Sequence, residues 1–308
     1  MSDMPREIRH LVVSVAGEFT VGERAWGGHG RATSWEVKGP DGRQWIAKRH
    51  GEVAAYHREA TAYRRWTGCL GEGRAPELAA ADPEMRGIVL TALPGRPLST
   101  FRLPPEQERE AYRQAGELLA RLHSAPVGAP AGAGAADRAA RARPVAAATW
   151  AVDVEEMLNG AALYLASEDE ALLHAIAEEP PPVLPDVPSH ADYHPRNWLW
   201  DEANQLIRLT GFEESCAEPA VRRDLAGLEY GPLRARSDLR SAFYAGYGRE
   251  LTDDERRACA SYAAVDALSS LRQGIEYQDI ESVERAHGML AALRSERAER
   301  HVRGGCPS

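Results

Sequence analysis

Cysteine is scarce in this chain and scattered. The 308 residues hold four, Cys69, Cys216, Cys259 and Cys306, with no Cys-x-x-Cys pair and no histidine cluster at zinc-ligand spacing. That argues against a disulfide framework and a finger-type zinc site, and favours a reducing compartment. Long apolar runs are also missing: no stretch of about 18 such residues occurs, the length a membrane-spanning helix needs. The charged opening "MSDMPREIRH" is followed by no apolar segment of signal-peptide length, so a cytoplasmic protein without a membrane partner is expected. Positive charge is not in excess. A formal net charge of -9 and a pI near 5.6 weigh against a nucleic-acid partner, which calls for a basic stripe, and suit a cationic or neutral one. No internal repeat is visible.

What is present is the composition of a folded protein. With 44% hydrophobic and 27% charged residues disorder is not the default, and the length suits two lobes. "ATSWEVKGPDGRQWIAKRH" alternates, turns at "GPDG" and resumes, which predicts a hairpin over about 32–49. "EVAAYHREATAYRRWTGCL" has apolar residues at helical spacing and predicts an amphipathic helix, the one helix expected in the first third. A short strand, Ile88 to Leu90, then runs into a Pro/Gly turn.

From about residue 104 the pattern becomes helical. "PPEQEREAYRQAGELLARLHSAP" starts with proline, carries early glutamates and keeps a stripe through Leu118, Leu119 and Leu122. Residues 126–150 are Ala/Gly/Pro-rich and read as a mobile loop with at most a short helix. Further helices are expected over 151–179 and 240–300, with "PPPVLPDVP" as an extended connector. Strands first and helices afterwards indicate an α+β fold.

Phosphoryl transfer needs phosphates and metal held in place and a carboxylate to orient the attacking hydroxyl. Candidates for those parts occur in order. Gly27, Gly28 and Gly30 precede the hairpin, where bare backbone could approach phosphates, although three glycines also make an ordinary turn. Lys48 ends the second strand, and Glu59 lies eleven residues on in the predicted helix, placed to pair with it. The plain alternatives are a solvated edge charge and an exposed helix acid. "HADYHPRN" sets Asp192 five residues before Asn197 on one tight loop, with "WLW" behind it as a buried strand. Asp192 would face the nucleophile and Asn197 would ligate metal; a loop-capping aspartate is the other reading. His190 reads as a structural histidine, and His194 and Arg196 as phosphate or substrate contacts or simply exposed loop residues.

The glycine loop, "WIAKRH", "YHREATAYRRW", "LTALPGRPL", "LARLHSAP", "SHADYHPRNWLW" and "GFEES" followed by "RRDLAGL" run in one order over about residues 20 to 230. In combination they resemble the aminoglycoside phosphotransferase and choline kinase-like family, small-molecule relatives of the protein kinases. The resemblance implies a two-lobed kinase-like fold, with a small antiparallel-sheet lobe carrying one helix at 1–93 and a larger helical lobe at 94–308. It implies ATP and Mg2+ as cofactors, a hinge at 91–95 with Leu93 contacting the nucleotide, and a small-molecule hydroxyl substrate. By the same resemblance Lys48 and Glu59 position phosphates, Asp192 is the catalytic base, Asn197 binds metal and Asp224 braces the catalytic loop. The Ala/Arg-rich composition suits a high-GC bacterial source, where such enzymes serve antibiotic resistance or biosynthesis.

Two positions depart from the family pattern. Ala191 stands where glycine is usual, which asks for a slightly different loop conformation. Gly211, in "LTGFEES", stands where the family carries the aspartate that binds magnesium. Losing such a ligand ordinarily costs on the order of a thousandfold in rate. Three explanations stay open: Glu213 or Glu214 reaches the metal instead; the protein is an impaired pseudokinase acting as a binding partner; or an aspartate was removed by deliberate substitution. A kinase for Ser or Thr hydroxyls of a peptide is a further alternative. The acidic stretches "ELTDDE" and "EYQDIE" could line a pocket for a polycationic aminoglycoside or be solvated helix faces.

Overall fold

A computed structural model describes residues 4–22, 32–128 and 147–304. Gly27, Gly28 and Gly30, Cys306 and most of the Ala/Gly/Pro-rich segment lie outside the described residues. The chain divides into two compact units. One comprises Met1–Val127, Val187–Glu218 and Ala242–Gly248, the other Gly128–Asp186, Pro219–Ser241 and Arg249–Ser308. The lobe boundary expected after residue 93 falls inside the first unit.

The first unit is built on a five-stranded antiparallel sheet, in the order β1 (Thr20–Val21), β2 (Ala32–Lys38), β3 (Gln44–His50), β5 (Gly87–Thr91), β4 (Leu78–Asp82). The expected hairpin is β2 and β3, registered from Ala32 opposite His50 to Lys38 opposite Gln44. Alternation splits β3 between two faces. Trp45 and Ala47 join Trp35, Val37 and Val89 in a core closed by Met4, Ile8 and Val12 of the N-terminal segment. Lys48 and His50 point the other way, toward helix α2 (Val53–Arg65).

That first core corrects one expectation. The early chain holds two helices rather than one, because Arg6–Ala16 forms α1 and buries Ile8 and Val12. The spacing of Ile8, Leu11, Val12 and Val15 was its signal. Each fully buried aliphatic side chain contributes about 1.5–3 kcal/mol, enough to hold a short helix that would be marginal alone.

Helix α3 (Pro105–Ser124) begins with proline, as its sequence suggests. It packs backbone to backbone on the segment around Phe243. A Cβ on Gly116 would lie 2.0 Å from the Phe243 carbonyl oxygen, and one on Gly246 only 1.8 Å from that of Arg113. Two small pairings complete this unit: β6 (Arg96–Pro97), β8 (Trp198–Asp201) and β9 (Leu206–Leu209) form one sheet, and β7 (Asp186–Ser189) pairs with β10 (Cys216–Pro219).

The second unit is helical, with Ala147–Ala161, Ser167–Ala177, Asp253–Glu276 and Ile280–Gly304 as its longer elements. The acids of "ELTDDE" serve helix starts and ion pairs. Thr252 and Glu255 form a capping box, Glu255 pairs with Arg249, and Asp253 and Asp254 pair with Arg256 and Arg257. Among the described residues no helix is long and apolar enough to cross a membrane.

The glycine contact sets a test. Gly116→Ala should destabilise the protein by about 3 kcal/mol, read as a lower urea midpoint, because backbone rather than a movable side chain must yield. Gly288→Ala, where a Cβ meets nothing within 4 Å, should instead raise stability by about 0.5–1 kcal/mol.

Candidate active site

Strand β3 and helix α2 bring opposite charges together in the interior. Ala55, Tyr56, Glu59, Ala60 and Tyr63 form the buried stripe of α2, so Glu59 faces the sheet and not solvent. Lys48 Nζ donates to Glu59 Oε1 at 2.8 Å and to Glu213 Oε1 at 2.6 Å. The other Glu59 oxygen, Oε2, lies 2.6 Å from His50 Nε2. Lys48, His50 and Glu59 are all buried, Glu59 completely.

Burial alone would discharge both partners, but each holds the other ionised. Desolvation acts to lower the Lys48 value, yet Glu59 and then Glu213 override it and the ammonium is raised well above its ordinary range. Desolvation likewise acts to raise Glu59, but Lys48 and the hydrogen bond to His50 hold it below the usual carboxylate value.

Glu213 reaches Lys48 from the short turn Phe212–Glu214, and α2 fixes that turn too. Arg58 Nε donates to the Glu213 carbonyl at 2.9 Å, and its Nη2 lies 3.3 Å from Glu214 Oε1. The Phe212 ring packs edge-on against Tyr63 at 5.3 Å.

The second constellation is the loop after β7. His190 is fully buried, with Nε2 2.9 Å from the Thr210 carbonyl and Nδ1 accepting from the Asp192 N–H at 3.3 Å. The next residue, Ala191, has φ 63°. Alanine here occupies the left-handed region that glycine would enter without strain. Asn197 Nδ2 donates both hydrogens to Asp192, to its carbonyl at 2.8 Å and to Oδ2 at 2.7 Å. Asp192 Oδ1 is paired with Arg196. Buried Trp198 and the bond from Thr210 N to Asn197 O anchor the far side of the loop.

Gly211 closes this arrangement with φ 82° and ψ 42°. A Cβ there would stand 2.8 Å from Asn197 Oδ1. Leu93 is half-buried on the link between β5 and β6. Of the residues expected from sequence, Lys48, Glu59 and Glu213 meet in one cluster, and Asp192 and Asn197 in another. Among the described residues no hydrogen bond joins Glu213 to Asn197. Three side chains at these sites had no role assigned from sequence: His50, Arg58 and Tyr63. Arg196 had been left between two readings. The signals were local: His50 is two residues beyond Lys48 on the same strand face, and Arg196 is four residues beyond Asp192.

The donor chemistry fits a hard cation. Asn197 spends its amide hydrogens on Asp192 and leaves Oδ1 as an acceptor, while Glu213 has a second carboxylate oxygen beyond the one on Lys48. Among the described residues no group of three or more His, Cys, Asp and Glu could hold a metal by itself. Magnesium asks for less, one or two protein oxygens completed by phosphate and water.

A match to the phosphotransferase enzyme family spans residues 24–262. The chain belongs to that family. Its fold is shared with solved structures at low identity. The GDP complex of aminoglycoside 2'-phosphotransferase-IIIa aligns at TM-score 0.67 and 13% identity, over 94% of this chain and 98% of the other. A thermostable mutant of aminoglycoside phosphotransferase APH(4)-Ia in its apo form gives TM-score 0.64 and 14% identity over 94% and 99%. Macrolide 2'-phosphotransferase MphH from Brachybacterium faecium gives 0.57 and 15% over 93% and 98%. No curated protein matches the chain. The antiparallel sheet of the N-terminal part and the helical C-terminal part of this phosphotransferase are those of the aminoglycoside phosphotransferase kinase-like fold, as expected.

The charged cluster sets the pH dependence of stability. Glu59, depressed in the folded state, contributes stability that is present above the ordinary carboxylate value of 4.5 and lost as pH falls through the lowered one. Lys48, raised, contributes below its ordinary value of 10.5 and loses that only as pH rises through the raised value. Lys48→Met should lower stability at neutral pH by about 3–5 kcal/mol, by leaving Glu59 without its main counter-charge. Glu59→Gln should flatten the acid limb of urea midpoints measured from neutral pH down to about pH 3.

Proposed function

We propose that this phosphotransferase moves the γ-phosphate of ATP to a hydroxyl of a small molecule, a natural product of the aminoglycoside or macrolide kind. One observation carries the reading: a buried Lys48–Glu59 pair and an Asp192–Asn197 loop belong to the same compact unit. The substrate class is supported by related folds holding kanamycin with GDP, or hygromycin B with ADP.

In this mechanism Lys48, steadied by Glu59, binds the α- and β-phosphates through its ammonium. Asp192 orients the attacking hydroxyl and accepts its proton, Arg196 yielding Oδ1 as substrate enters. Asn197 Oδ1 and Glu213 would hold Mg2+, with Glu213 supplying the carboxylate that Gly211 lacks. When bound, the ion neutralises charge on the β- and γ-phosphates. Phosphate arriving at Lys48 takes the place of Glu213 Oε1 and releases that carboxylate.

Gly211 supports a second reading, a chain that binds nucleotide or substrate without turnover as a partner in a biosynthetic complex. Calorimetry with ATP and magnesium, together with ATP turnover in the presence of aminoglycosides and macrolides, separates the two. For a working kinase, Asp192→Asn should cut kcat by about 10²–10⁴-fold with little change in ATP affinity. Glu213→Ala should remove turnover and weaken the magnesium dependence of ATP binding. ATP bound without turnover in the unmodified chain, with turnover appearing only in Gly211→Asp, would sink the working-kinase reading.

A further inference from the structure

His50 differs from His190 in what its two nitrogens face. His190 has one acceptor and one donor as partners, whereas both partners of His50 are acceptors. Nε2 lies 2.6 Å from Glu59 Oε2, a carboxylate whose other oxygen accepts from the Lys48 ammonium. Nδ1 lies 3.1 Å from the carbonyl of Arg86, which also accepts the His50 N–H at 3.0 Å. A neutral imidazole has one N–H and cannot satisfy two acceptors, while the imidazolium has two.

We propose that His50 is a positioning residue for the phosphate-binding lysine, donating from both ring nitrogens and tethering Glu59 to the turn before β5 so that Lys48 is held by a carboxylate that cannot swing. The idea rests on the reading of Lys48 as the phosphate anchor. Charge balance supports it. Lys48 and His50 are two cations, and Glu59 and Glu213 two anions, so the buried cluster is neutral with His50 protonated and one charge short without it.

Burial and the neighbouring Lys48 ammonium oppose a charge on His50, and Glu59 offsets them. From α2, Glu59 faces the ring and Tyr56 packs edge-on at 6.0 Å. The Arg86 guanidinium is turned to the Gly51 carbonyl. On the opposite sheet face, near Gly87, α1 presents the apolar side chains of Ile8 and Leu11. Lys48, on the same strand, is already shared between Glu59 and Glu213.

The division of labour follows from which oxygen is used. With Glu59 Oε2 occupied by His50, Oε1 alone serves Lys48. The ammonium can then exchange Glu213 for a phosphate oxygen without losing its fixed partner. Without His50 the carboxylate is free to rotate, and Lys48 follows it.

Nitrogen-15 spectra of the histidines test the protonation directly, with the His50 signals identified by their loss in His50→Gln. Both ring nitrogens should be of the protonated type near neutral pH, and in Glu59→Gln the ring should revert to a neutral tautomer. One bare nitrogen in the unmodified chain would overturn the proposal, as would an unchanged ring in Glu59→Gln. The positioning role is read on lysine. The chain has two, Lys38 and Lys48, so a ¹⁵Nζ spectrum holds one reference and one probe.

His50→Leu should shift and broaden the Lys48 signal while leaving Lys38 in place, and raise Kd for ATP with magnesium by about 10- to 100-fold. His50→Gln, which keeps one donor toward Glu59, should recover part of that loss and serves if the leucine variant does not fold. A folded leucine variant with an unmoved Lys48 signal and unchanged Kd overturns the role. An unmodified chain that binds no ATP would refute the phosphotransfer reading instead, and the histidine spectrum would still decide the hydrogen bonding.

Discussion

A lysine and a glutamate buried against each other, Lys48 and Glu59, make the constraint on which the site depends. Ions in the interior are tolerated only when paired with good geometry, so this one contact fixes the register of β3, the rotation of α2 and the distance between them. A slip of one residue in β3 would turn Lys48 into the Trp35–Trp45 core and Ala47 toward Glu59, losing both the pair and the packing. The apolar face with α1 and the charged face with α2 therefore enforce the same alignment from opposite sides of one sheet.

The Asp192 loop is held differently, through hydrogen bonds and one half-buried ion pair. His190 ties its start to the strand end at Thr210, and Asn197 returns to Asp192 across the turn. Asp192 is half-buried, with Arg196 paired to its Oδ1. The lysine side of the site is thus rigid by electrostatics, and the aspartate side is shaped by backbone.

Much of this was legible in the sequence. The hairpin, α2, α3 and the strand after "PRN" follow from periodicity and turn residues. Lys48 with Glu59, and Asp192 with Asn197, follow from spacing together with family resemblance. The helix before β1 is less legible, because charged residues interrupt the apolar stripe of Ile8, Leu11, Val12 and Val15. His50 and Arg58 were missed because what defines them is the partner across space: two acceptors for His50 and a carbonyl 155 residues away for Arg58. Glu213 was singled out as a carboxylate of the right kind, but its bond to Lys48 depends on how the turn after Gly211 folds back.

Gly211 has a consequence in the language of codons. A change at the second base of a glycine codon gives a codon for aspartate or glutamate, so a carboxylate at this position is one mutation away, and the left-handed backbone admits aspartate more readily than most residues with a side chain. The obstacle is Asn197, whose amide oxygen stands where the new Cβ would go and whose other atoms are committed to Asp192. Placing a carboxylate there is therefore a two-residue problem behind a one-base change. A lineage that reached glycine here would be kept there less by the genetic code than by its neighbour across the turn.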